Sequence, residues 1–244
     1  MKKFAVFDID GTLFRWQLFH EIVFELIQEG HIPESAKKSI DEKMQAWRNR
    51  AHSQSFKEYE MALVNAFVPC MKGLKVGEIE KAADKILKKS GNEVYAYTRN
   101  LIEELRKQDY TLIAISGSQD EIVQRFAALW HFDIAIGQQH DIEDEQYTGT
   151  LTGGKLLVEQ KGAVLKEIVG NHTLSWEDSF AVGDSLSDAG MLELVTNPIA
   201  FNPNDPLFDI AKKEGWKVVI ERKNMTYELE SRDGTYLLAN ASTW

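Results

Sequence analysis

The chain has 244 residues, 43% of them hydrophobic and 27% charged, with a net charge of -10 at pH 7. That length holds one large domain or two small ones around a real core, and the acidic balance disfavours non-specific attraction to nucleic acid or an anionic membrane, leaving small-molecule chemistry as the favoured class. No apolar run is long enough to span a bilayer, Asp8 and Asp10 interrupt the first apolar stretch before signal-peptide length, and Cys70 has no second cysteine to pair with, so a cytoplasmic protein is expected.

Phe4-Ala5-Val6-Phe7 predicts a buried strand that stops at Asp8-Ile9-Asp10-Gly11-Thr12-Leu13. Strand side chains alternate faces, so Asp8 and Asp10 would point the same way if the strand continued, and Gly11 lets the chain turn after them. Two readings stand at this point. Paired carboxylates at the carboxyl end of a strand suit a metal, or a nucleophile with an acid/base neighbour. Asp-Gly is also ordinary turn chemistry, with one acid capping a helix that starts at Thr12.

From residue 15 to 92 the pattern is helical. Leu18, Ile22 and Leu26, with Val23 and Ile27, recur at three- and four-residue spacings up to Gly30, and further helices are expected over 35–47, 56–68 and 76–89. A helix over 97–107 leads to a strand at 110–115, a helix over 119–129 and a short strand at 133–136. A hairpin is expected within 145–157, using Gly149 and Gly153-Gly154, then a helix over 161–169. Strands at 179–182 and 198–201 flank a helix over 188–195, and a last strand spans 216–220. Tyr227-Glu-Leu and Thr235-Tyr-Leu-Leu around Arg232-Asp233-Gly234 read as a hairpin. Alternating strands and helices imply a doubly wound α/β core with a mostly parallel sheet. Its expected limits are 1–14 and 93–223, with 15–92 an inserted helical cap able to close over the first strand's end and 224–244 a C-terminal extension.

Other strand ends bear on the first motif. Ile113-Ala-Ile115 runs into Ser116-Gly117-Ser118, which offers a hydroxyl and backbone N–H groups to an anion at a helix start, unless Ser118 only caps the helix from Gln119. Lys161 opens a helix where a lone lysine is usually solvated. Phe180-Ala-Val-Gly183-Asp184-Ser-Leu-Ser-Asp188 ends another strand in acids four residues apart, a spacing that a helical turn brings to one side for a metal, or that favours a helix N-terminus through its dipole.

Together these segments resemble, in order, the four motifs of the haloacid dehalogenase-like hydrolase superfamily, in its phosphoserine-phosphatase-like branch, over all but the tail from about residue 224. The resemblance implies a Rossmann-like core and a phosphatase. It makes Asp8 the nucleophile that forms an aspartyl-phosphate and Asp10 the general acid/base. Thr12, Ser116, Gly117 and Lys161 would bind phosphate, and Asp8, Asp10 through its carbonyl, Asp184 and Asp188 would hold Mg²⁺. A small phosphorylated metabolite is the expected partner, with no nucleic acid and no membrane, in a monomer or homodimer. Phosphotransfer to an alcohol, a non-catalytic aspartyl-phosphate signalling module and phosphoserine phosphatase proper are the alternatives. Against the last, Gln17 and Leu63 stand where the family's phosphoserine enzymes carry an acid and an arginine, so phosphoserine is disfavoured unless Arg15, Arg48 or Arg50 substitutes, and Ser187 replaces a common asparagine. Phe14, Trp16, Phe19, Trp47 and Tyr59 would line an apolar cap pocket or simply form core.

Overall fold

The computed structural model describes residues 1–243; Trp244, the last residue of the expected extension, and the side chain of Glu34 lie outside the described residues. The chain packs as two compact units. One is formed by Met1–Gln17, Ser90–Gln138 and the chain from Lys155 onward, the other by Leu18–Lys89 and Gln139–Gly154.

The first unit opens with β1 (Lys2–Phe7). The second holds α1 (Leu18–Gln28), α2 (Glu34–Arg48), α3 (Ser55–Met71) and α4 (Val76–Ser90, which ends at the boundary). The chain then returns through α5 (Ala96–Lys107), β2 (Thr111–Gln119), α6 (Asp120–Leu129) and β3 (Ile134–Gln138). A small hairpin follows in the second unit, β4 (His140–Glu143) with β5 (Gln146–Leu151). The remaining elements belong to the first: α7 (Lys161–Asn171), β6 (Leu174–Gly183), α8 (Ala189–Leu192), β7 (Asn197–Phe201), α9 (Asp205–Glu214), β8 (Lys217–Arg222), β9 (Met225–Arg232) and β10 (Thr235–Thr243).

The sheet of the first unit runs β10-β9-β8-β7-β6-β1-β2-β3. It is parallel from β3 to β8, and β9 and β10 are added antiparallel. Helices flank this sheet, so its central strands are apolar without alternation. In β1, Phe4 and Val6 share one core with Leu165, Met191 and Leu207, while Phe7 meets Phe132 edge-on. Chain order runs outward from β1 through β2 to β3, then restarts at β6 and runs the other way through β7 and β8. The carboxyl ends of β1 and β6 therefore flank the crevice where a doubly wound sheet binds its ligands.

Several expected elements shift. The hairpin expected within 145–157 begins earlier: its turn is Asp144-Glu145, both at positive φ (49° and 60°), and Gly149 lies inside β5. Such a two-residue turn favours Asn or Gly, so an acidic pair hid it. The helix expected over 188–195 is reduced to α8, preceded by a 3₁₀ turn, and by Thr196, just before β7, the N–H already donates to Ser179 Oγ (3.3 Å). Helix α9 was not expected at all, although Asn204 accepts from Leu207 N–H (3.1 Å), Pro206 sits in the first turn and Gly215 ends the helix at φ 72°.

The second unit is held by rings. Trp47 stacks on Tyr59 (5.5 Å), His20 meets Tyr59 edge-on (5.1 Å) and Phe19 meets Phe67 (5.4 Å), while Phe14 packs on Phe126 in the first unit. Of the aromatics expected in a cap pocket or core, Phe14 and Tyr59 are core, as is Phe67, whereas Trp16, Phe19 and Trp47 are only half-buried.

Burial lowers the His20 imidazole to about 3, so the folded chain keeps it neutral. The unfolded chain takes up a proton below about pH 6.5 that the folded chain refuses, so this contribution to stability is present above that pH and is lost as pH falls toward 3. Between pH 7 and pH 5 the protein should lose about 2 kcal/mol more in urea unfolding than a His20→Phe variant. Equal losses in the two proteins would remove His20 as the cause.

Candidate active site

Asp8 continues the β1 ladder by one bond, its N–H donating to Val182 O (2.9 Å). The chain then turns: Ile9 O accepts from the N–H groups of Thr12, Leu13 and Phe14, and Gly11 N–H reaches Phe14 O and Trp16 O. The segment is a tight turn and no helix begins at Thr12; α1 starts at Leu18. Gly11 holds φ 80°, and a Cβ there would fall 2.2 Å from Asp184 Oδ2, so only glycine lets the Asp184 carboxylate lie against the turn.

Asp8 is 3% exposed and Lys161, at the start of α7, is equally buried. Lys161 Nζ donates to Asp8 Oδ1 and to Asp188 Oδ1, both at 2.6 Å. The other Asp188 oxygen accepts from the N–H groups of Asp184 and Ser185, each at 3.0 Å. Asp188 thus caps its own turn, as the helix-start reading expects, and also anchors the buried ammonium. Burial alone would lower the Lys161 ammonium, but the Asp188 and Asp8 carboxylates raise it above its ordinary value and keep it charged.

Asp10 is held from β2. Ser116 Oγ (2.5 Å) and Ser118 Oγ (2.8 Å) both donate to Asp10 Oδ2, and Ser118 N–H donates to Ser116 Oγ (3.0 Å). Ser118 does not cap α6: the helix begins at Asp120 with Gln119 before it and no side-chain cap. The signal for its place in the site is its spacing: residues two apart on a strand share a face, as Ser116 and Ser118 do. Gly117 between them has Val158 so close that a Cβ would lie 2.5 Å from its Cγ1.

Asp8, Asp184 and Asp188 each present a carboxylate oxygen within 4.8 Å of the others. Burial, partly offset by Lys161 and reinforced by Asp188 and Asp10, pushes Asp8 up to about 7. Burial first, then the Asp8 and Asp188 charges, raise Asp184 well above the carboxylate range. One ammonium does not balance these acids. Asp8 Oδ2 and Thr12 Oγ1 are buried without a hydrogen-bond partner among the described residues, a costly state unless something else occupies the site. Hard oxygen donors with excess negative charge fit a divalent cation, with Asp8 Oδ2 and Asp184 the atoms best placed to hold it and Asp188 already spent on Lys161 and its own loop.

Arg15, Arg48 and Arg50 are exposed, Gln17 is half-buried, and Leu63 is fully buried within α3. Cys70 is half-buried, with burial raising its thiol, which is the wrong direction for a nucleophile. Among the described residues no helix is long and apolar enough to cross a membrane.

Known proteins resemble this chain in sequence and fold. A phosphoserine phosphatase of Methanocaldococcus jannaschii is 28% identical over 224 residues, 92% of this chain and 94% of that one. A histidinol-phosphatase of Neisseria meningitidis serogroup C is 25% identical over 223 residues, covering 90% and 99%. A solved phospho-aspartyl intermediate analogue of phosphoserine phosphatase superposes with a TM-score of 0.58 at 27% identity, covering 91% of this chain and 94% of that one. The family model described as haloacid dehalogenase-like hydrolase matches residues 5–193, from within β1 to the turn after α8. The chain belongs to the haloacid dehalogenase-like hydrolases, on the branch that includes these phosphoserine phosphatases.

Proposed function

We propose that the protein is a Mg²⁺-dependent phosphatase that hydrolyses a small organic phosphomonoester through an aspartyl-phosphate on Asp8. The observation that carries this reading is the Asp8 carboxylate: one oxygen is fixed by Lys161 at 2.6 Å and the other is buried without a partner among the described residues, while its acid/base neighbour Asp10 is held by two serines 106 and 108 residues away in sequence. A carboxylate oxygen of Asp8 forms the bond to phosphorus as the bond to the leaving oxygen breaks, and Asp10 gives that oxygen its proton. Water then attacks the aspartyl-phosphate, Asp10 takes a proton from that water, the bond from phosphorus to Asp8 breaks, and inorganic phosphate leaves with the Asp8 carboxylate restored. Lys161, Ser116, the Gly117 N–H and Thr12 supply donors for the non-bridging oxygens. Mg²⁺ at Asp8, the Asp10 carbonyl and Asp184 would offset charge on the phosphoryl group, with Asp188 supporting from behind.

Relatives named for different substrates leave the leaving group to the residues. Gln17 carries no charge, and Leu63 is buried and apolar, so a substrate ammonium and carboxylate find no fixed counter-charge at these positions. Phosphoserine should therefore be a poor substrate. The test is phosphate release over a panel of phosphomonoesters that includes phosphoserine and histidinol phosphate, with Mg²⁺ or with chelator. Expected are Mg²⁺-dependent release and a best substrate favoured over phosphoserine by roughly 30-fold or more in kcat/KM. A panel with no release in Mg²⁺ rejects the phosphatase reading, and efficient turnover of phosphoserine rejects the substrate argument.

A further inference from the structure

We propose that Ser118 is a positioning residue that keeps the Asp10 carboxyl aimed at the leaving oxygen when Ser116 turns away to bind phosphate. The inference rests on the reading of Asp10 as proton donor given above and concerns a hydroxyl which that reading does not use.

A serine hydroxyl has a single proton to give. In this structure Ser116 gives its proton to Asp10 Oδ2 and accepts from Ser118 N–H. Ser116 can donate to a phosphate oxygen only by withdrawing from Asp10. A carboxyl that relied on Ser116 alone would then swing about its side-chain torsions at the moment it must face the leaving group. Ser118 removes that conflict. Its Oγ donates to the same Asp10 Oδ2 (2.8 Å), it is 1% exposed, and its backbone is fixed because β2 continues to Gln119, which pairs with Gln138 of β3. The same residue thus serves both partners, its N–H locating Ser116 Oγ and its hydroxyl locating Asp10. No helix cap competes for that hydroxyl, since α6 starts beyond it without one.

General-acid help matters most when the leaving oxygen is basic, so an alkyl phosphate needs a well-aimed Asp10 far more than an aryl phosphate does. The readout is the ratio of kcat/KM for 4-nitrophenyl phosphate to that for the best alkyl ester of the panel, since kcat/KM covers the steps through formation of the phosphoenzyme. Ser118→Ala should lower the alkyl value by about 30-fold and the aryl value by less than about 3-fold. Ser118→Thr, which keeps a hydroxyl, should leave the ratio within about 3-fold of wild type. Because the ratio is internal to each preparation, a partly folded variant still reports it, and Ser118→Gly repeats the test should alanine fold poorly. Equal losses on both esters, or no loss, overturn the proposal. Asp10→Asn separates the two failures. If that variant does not shift the ratio, the acid reading of Asp10 falls; if it shifts the ratio and Ser118→Ala does not, only the role of Ser118 falls.

Discussion

Asp8→Asn should reduce phosphate release from an aryl phosphate by about 10⁴-fold or more while leaving the protein folded. The size of the effect follows from the chemistry: a carboxamide is a poor nucleophile for phosphorus, and the other carboxylate on Lys161, Asp188, has its second oxygen taken by the Asp184 and Ser185 N–H groups. Stability should not fall with it. Asp8 is held up to about 7 by burial and by the Asp188 and Asp10 charges, so in the folded protein above neutral pH its ionised form is an electrostatic cost that a neutral amide of the same shape removes. Lys161 keeps Asp188 as its partner at 2.6 Å. In the absence of Mg²⁺ the variant should therefore melt no lower than wild type at pH 8. Full activity in a folded Asp8→Asn protein would end the aspartyl-phosphate mechanism. Loss of activity accompanied by unfolding would show instead that the carboxylate is structural.

Much of this was legible in the chain because parallel strands buried on both faces read as short apolar runs, and each run stops where polar chemistry begins. Asp8 after Phe7, Ser116 after Ile115 and Asp184 after Gly183 are such stops. What the sequence did not carry is which atoms meet. Lys161 reads as an ordinary helix-start lysine, and its burial between Asp8 and Asp188 depends on α7 presenting it to two loops 153 and 27 residues away. Ser118 reads as a cap because Asp120 and Glu121 follow it as a helix start, and only the extra length of β2 turns its hydroxyl toward Asp10. The first half of β6 is polar, Ser175-Trp-Glu-Asp178, and is a strand because it lies beside Lys2 and Lys3 of β1. Helix α9 is faint in the sequence for a different reason: its terminal signals are present, but its buried apolar positions are few, Leu207 and Ala211.

The buried ion pair carries the largest expected effect on stability. Lys161→Met removes the one ammonium shared by Asp8 and Asp188 and leaves both carboxylates in a site that is almost closed to water. Breaking a buried pair from one side costs about 3–5 kcal/mol, because the remaining charge loses its partner and cannot be rehydrated. In a chain of this size that corresponds to a fall in melting temperature of about 10 °C at pH 8 with chelator present. The pH dependence has a defined sign. The Lys161 ammonium is raised above its ordinary value, so its contribution is fully present throughout pH 5–8 in wild type and would be lost only well above that range. In the variant, acidification protonates Asp8, which burial already raises, and relieves the repulsion, so the gap between variant and wild type should narrow from pH 8 to pH 5. Adding Asp8→Asn to Lys161→Met should recover part of the loss, since the double variant has one buried carboxylate in place of two, and that non-additivity separates charge imbalance from lost packing of the lysine stem. Lys161→Arg should not substitute, because a planar guanidinium needs room and a geometry that a 3% exposed slot built around a single Nζ does not offer. Melting curves of the wild type, Lys161→Met and the double variant at the two pH values decide the matter: a single variant as stable as wild type at pH 8 would mean that this ammonium does not hold the site together.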